Sequence, residues 1–104
     1  MIRKAFKMKL LAGYSAEYKK RHDEIWPDLV RLLSEAGISD YTIVLDEETG
    51  TLFAQQKLTD QNGSEQLPNH PLMRKWWDHM KDIMECHPDG RPVEKPLIEV
   101  FHMD

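Results

Sequence analysis

A chain of 104 residues and 12.3 kDa has the length of one domain, so residues 1–104 are expected to fold as a single unit. With 40% apolar and 31% charged residues, its composition argues against both disorder and a membrane-spanning protein. A net charge of −4 removes the usual electrostatic case for nucleic acid, which needs a basic face to displace counterions from phosphates.

From Ile2 to Leu10 even positions are mostly apolar and odd positions mostly charged, the period of a half-buried strand, with Lys4 and Ala5 as exceptions. The alternation also speaks against a signal peptide, which needs an unbroken apolar run after its cations. Arg3, Lys4, Lys7 and Lys9 therefore read as the solvated side of a strand rather than as a nucleic-acid arm. Gly13 ends the strand, and Ser15 offers an N-cap to a helix over Ala16–His22. Pro27 forces Trp26 toward extended geometry and suits the first turn of a second helix over Asp28–Ala36. The break leaves Tyr18, His22 and Trp26 free to converge on something other than the core.

Gly37 closes that helix, and Tyr41–Leu45 reads as a β-branched strand. Asp46–Gly50 is a turn, and Leu52–Leu58 returns as the other arm of a hairpin. The polar stretch Thr59–Pro71 predicts a loop or a short helical turn. Beyond it, Leu72, Met73, Trp76, Trp77, Met80, Ile83 and Met84 recur at helical spacing. His87–Pro92 is a turn, and Leu97–Met103 is expected as a final strand.

The order β-α-β-β-α-β predicts an α+β, ferredoxin-like fold: a four-stranded antiparallel sheet with helices on one face. The strands carry apolar groups on both faces, Leu97 and Phe101 against Ile98 and Val100 for example. A sheet with one face in water would alternate more cleanly, so a second copy is expected to cover the other face in a barrel-like homodimer.

Tyr18 and His22 are one helical turn apart, on one face of the first helix. A phenol, an imidazole that titrates near neutral pH and a supply of indoles are the equipment of a sugar site. Aromatic faces there take ring C–H groups while a proton moves to an oxygen. Trp76 and Trp77 lie about 100° apart on their helix. One can face the core while the other presents an edge to a ligand. His22, His70, His79, His87 and His102 show none of the short spacings of a structural zinc site, so no bound metal is expected. Cys86 is the only cysteine, which suits a reducing, cytoplasmic setting.

The blocks Tyr18-Lys19-Lys20-Arg21-His22, Ile25-Trp26-Pro27, Tyr41, Arg74-Lys75-Trp76-Trp77 and Glu99-Val100-Phe101-His102-Met103 together resemble the L-rhamnose mutarotase family. The resemblance runs from Met1 to the C-terminus, with Thr59–Pro71 as the stretch that does not match. It implies a dimeric α+β barrel that interconverts the α and β anomers of L-rhamnopyranose without a cofactor. It places the proton-donating residue on His22 and the sugar contacts on Tyr18, Tyr41, Trp76 and Trp77. Two other readings stand beside it. Dimeric α+β barrels also host haem-degrading and quinol-type monooxygenases, a likeness of fold alone. A non-catalytic sugar-binding or interaction protein would need no more than the acidic surface and the dimer.

Overall fold

The alternation at the start of the chain becomes β1 (Ile2–Lys9), whose Phe6 and Met8 are buried and whose Arg3 and Lys9 are exposed. In the computed structural model, which describes residues 1–104, it is followed by α1 (Ser15–Asp23), α2 (Pro27–Glu35) and β2 (Ile38–Asp46). Then come β3 (Thr51–Leu58), a 3₁₀ segment (Ser64–Asn69), α3 (Pro71–Met80) and β4 (Lys95–Leu97). The strands form one antiparallel sheet in the order β2-β3-β1-β4. Phe6 pairs with Ala54 and Met8 with Leu52, and these side chains share a core with Leu29, Met73, Trp76 and Met80 of the helices. This is the ferredoxin-like arrangement expected from the element order.

One irregularity decides which side chains meet the helices. Ile38 pairs with Leu58 and Ile43 with Ala54, yet the register shifts between Ser39 and Thr42. Asp40 and Tyr41 thus stand together against Gln56, the two-against-one count of a β-bulge. Asp40 adopts φ 48°, a left-handed conformation that aspartate tolerates better than most residues, and its carboxylate lies 3.2 Å from Lys57 Nζ. Beyond the bulge Tyr41, Ile43 and Leu45 look toward the helices.

Gly37 ends the second helix as expected, at φ 90°, and an added Cβ would collide with the Thr59 hydroxyl. Its carbonyl accepts from Thr59 N–H at 3.0 Å, so the site is crowded as well as left-handed.

Three expectations need correction. Ser15 is the first helical residue rather than the cap; Tyr14 holds the cap position without a side-chain bond, and Glu17 is the anion facing the positive helix end. The last helix stops at Met80, although Ile83 and Met84 continue its apolar period. They reach the core from a turn, where Leu11 N–H donates to Ile83 O at 2.9 Å and Glu85 N–H to Lys9 O at 3.0 Å. Those bonds to the end of β1 replace the helical ladder. Finally, the strand expected at Leu97–Met103 lies at Lys95–Leu97. Leu97 already pairs with Ala5, so few rungs of β1 remain, and Ile98, Val100, Phe101 and Met103 lie exposed, Val100 at 93%. The Arg3–Glu99 ion pair at 2.6 Å is what holds this segment to β1.

Ile83 is wholly buried (0% exposed). Ile83→Ala is therefore expected to destabilise the fold by about 2–5 kcal/mol in urea denaturation. Val30→Ala, at a half-exposed position of α2, should cost less than about 1 kcal/mol.

Candidate active site

The helix break does what proline chemistry requires. Trp26 is extended at φ −64°, ψ 128°, Pro27 opens α2, and α1 has already ended at Asp23. His22 thereby occupies the last turn of a short helix at the margin of the core. Its neighbour Arg21 turns the other way. The guanidinium meets Glu17 at 2.7 Å, Asp82 at 2.8 Å and the carbonyl of His79 at 2.6 Å, fastening α1 to the chain at the end of α3. These bonds fix where His22 stands relative to Trp76.

The rings then stack in sequence. Tyr18 and His22 are nearly parallel with centroids 4.3 Å apart, and Trp76 meets His22 edge-on at 5.4 Å. Trp26 packs edge-on against Trp76 at 5.1 Å, and His79 lies 5.6 Å from Trp76 and 5.7 Å from Trp26. His22 Nδ1 is 3.0 Å from the carbonyl oxygen of Tyr18. A carbonyl can only accept, so Nδ1 carries the proton and the neutral ring leaves its Nε2 lone pair unused.

Tyr18, His22 and Trp76 line a groove of about 1300 Å³ between the helices and the helix-facing side of the sheet. Tyr41 and Gln56 belong to its sheet wall, and His87, Arg91 and Glu94 border it from the segment before β4. Electrostatically the site favours uncharged forms. Burial lowers the pKa of His22 below its ordinary 6.5, opposed by the Tyr18 carbonyl. It also raises the phenol of Tyr18 well above the usual range, with Tyr41 a smaller contribution. Tyr41, 39% exposed as a residue on an open groove, is pushed up to about 12 by burial of its hydroxyl, against a polar contact with Gln56.

Of the five site residues expected from the sequence, Tyr18, His22 and Trp76 form one contiguous aromatic unit and Tyr41 joins them from the sheet. Trp77 diverges. Trp76 is 6% exposed and packs in the core, whereas Trp77 is half-buried at the rim, its ring 5.8 Å from the Arg74 guanidinium. Sequence reasoning passed over Gln56 and held His79 only as an alternative to His22. The first interrupts the inward-facing row Leu52, Ala54, Leu58 with an amide; the second stands three residues after Trp76, on the same helical face. No group of three or more His, Cys, Asp or Glu side chains is placed to hold a metal ion, and no helix is long and apolar enough to cross a membrane.

The lowered pKa of His22 has a stability signature. Its unfolded form takes up a proton near 6.5 while the folded form resists until lower pH, so acid favours unfolding. The contribution is fully present above 6.5, fades as pH falls below it, and levels off under the folded value. His22→Asn should therefore lose less stability than the parent between about pH 7 and about pH 5.5 in paired thermal melts.

A model of the L-rhamnose mutarotase family matches residues 3–103. An L-rhamnose mutarotase from Flavobacterium johnsoniae is 60% identical, aligned over 99% of this chain and 96% of its own length. The crystal structure of an L-rhamnose mutarotase from Formosa agariphila superposes with a TM-score of 0.93 at 50% identity, covering all of both chains. A dimeric ferredoxin-like protein from an uncultured marine organism shares the fold alone, at 17% identity and a TM-score of 0.56 over 97% of this chain and 96% of that one. The match over nearly the whole length, at this identity and with this superposition, shows that the chain belongs to the L-rhamnose mutarotase family.

Proposed function

We propose that this protein interconverts the α and β anomers of L-rhamnopyranose, with His22 as the group that moves the proton. The observation that carries this reading is the state of the His22 ring. It is neutral, its Nδ1 is committed to the Tyr18 carbonyl, and it is clamped between Tyr18 and Trp76 on a groove.

Mutarotation needs little else. The proton leaves the anomeric hydroxyl as C1 becomes a carbonyl, the C1–O5 bond breaks with its electron pair going to O5, and O5 gains a proton. Nε2 takes the first proton and the resulting imidazolium returns one to O5, so the histidine ends as it began. Rotation about C1–C2 precedes closure by the same steps in reverse. Such general catalysis is worth about 10²–10⁴-fold. Tyr18 and Tyr41, held protonated, remain hydrogen-bond donors for ring hydroxyls. Trp76 and Trp77 supply apolar surface for the sugar's C–H face and its C6 methyl group.

The same reading has residues 1–104 working as one domain in a cytoplasmic homodimer, without cofactor, metal, nucleic acid or membrane partner. The dimer is supported by the apolar surface one chain leaves open: Val44 and Phe53 on the outer sheet face, then Ile98, Val100 and Phe101 beyond β4. The monooxygenase reading draws on fold likeness and the non-catalytic one on surface character, and no residue in the groove favours either.

His22→Asn is expected to stay folded and dimeric while anomer exchange, followed by saturation-transfer NMR, falls about 100-fold or more. Sugar binding should change much less. A parental rate would pass the role to another group, with His79 the nearest imidazole to Trp76 after His22. For the dimer, sedimentation equilibrium at micromolar concentration should give twice 12.3 kDa; a mass of 12.3 kDa throughout would reject it.

A further inference from the structure

Along β3 the side chains turned toward the helices are Leu52, Ala54, Gln56 and Leu58, so a primary amide stands in an apolar row. Gln56 is 6% exposed, and no other polar or charged residue is buried to that degree. An amide in such a place without hydrogen bonds costs about 1–3 kcal/mol, and it offers two donors besides its acceptor oxygen. Tyr41 stands opposite it across the β2–β3 pairing. No buried side-chain nitrogen or oxygen lacks a partner, so the amide opens onto the groove that Gln56 lines.

Position gives that capacity a direction. The bulge sets Asp40 and Tyr41 together against Gln56, which seats the phenol beside the amide. Tyr41 and Gln56 line the sheet side of the groove, and Tyr18 and His22, stacked at 4.3 Å, line its helical side. Gln56 thus stands across the groove from the proton carrier. A pyranose with C1 and O5 at His22 turns its C3–C4 edge the opposite way.

We infer that Gln56 is a specificity-determining residue, its amide hydrogen-bonding a pyranose hydroxyl on the C3–C4 edge, with the Tyr41 hydroxyl as its partner. The inference rests on the mutarotase reading for the orientation of the sugar. It assigns Gln56 a binding role, not one in proton transfer: the amide reads a hydroxyl that the reaction leaves unchanged.

The test compares the parent with Gln56→Leu and Gln56→Met, each shown to fold by circular dichroism and thermal melting. Removing the amide should raise the L-rhamnose concentration for half-maximal exchange about tenfold or more, as loss of one buried hydrogen bond would, with the maximal rate held within about threefold. With 3-deoxy- or 4-deoxy-L-rhamnose, whichever lacks the hydroxyl being read, parent and variants should become equal. Folded variants with parental half-saturation for L-rhamnose overturn the inference. So does an amide effect of the same size on every deoxy sugar, which would mark a purely structural role. A parent that exchanges no anomers sinks the mutarotase reading instead. Tryptophan fluorescence titration with L-rhamnose then decides Gln56 by itself: weaker binding by both variants sustains it, and equal binding or none overturns it.

Discussion

Side chains alternate along a strand, so Ile38 and Ile43, an odd number of steps apart, cannot both face the helices of a regular β2. The extra residue at Asp40–Tyr41 removes the conflict. Its cost is a left-handed aspartate, held by Lys57. With the bulge in place, Ile38 joins the core at one end of the strand while Ile43 and Leu45 pack against it at the other. Tyr41 is delivered to the groove opposite the helix that bears Tyr18 and His22. The place of Tyr41 in the sheet wall of the site depends on that single register shift.

The helical wall depends on a second local break. Pro27 ends the direction set by α1, and Arg21 anchors the end of α1 to Asp82 and to the His79 carbonyl. The resulting site is electrically quiet. Burial lowers the pKa of the imidazole and raises those of both phenols, so all three rings favour their uncharged forms. Arg91 and Glu94 lie on the segment that borders the groove, while Lys19 and Asp23 flank the stacked rings on α1 as an ion pair at 2.9 Å.

Much of this was legible in the sequence because period and punctuation are local signals. Alternation over Ile2–Leu10, Pro27, Gly37 and the apolar stripe from Leu72 placed most elements within a residue or two. The i, i+4 spacing of Tyr18 and His22 foretold their stacking. What escaped was set by distant partners. Ile83 and Met84 keep helical spacing, yet Ile83 O accepts from Leu11, Met84 bridges to Leu10 and Glu85 N–H donates to Lys9, partners that no window around Met80 contains. The C-terminal apolar run has strand character, but a strand needs an edge, and β1 offers few rungs past Ala5. The bulge needs the β2–β3 register, so the inward turn of Tyr41 toward Gln56 could not be read from Tyr41–Leu45 alone.

The fastening of α1 to the end of α3 constrains how the protein can accommodate an open sugar chain. Because Arg21 bridges the two helices, the imidazole and the indole of Trp76 are held at one spacing, and in the proposed reaction the substrate lengthens and turns about C1–C2 against that fixed pair. The space for that rotation must come from the breadth of the groove, not from parting helices. Such a site behaves as a fixed frame around a moving ligand. If His22 moves the proton as proposed, the same group serves closure on either face of the aldehyde, and the ratio of anomers that emerges belongs to the sugar's own thermodynamics.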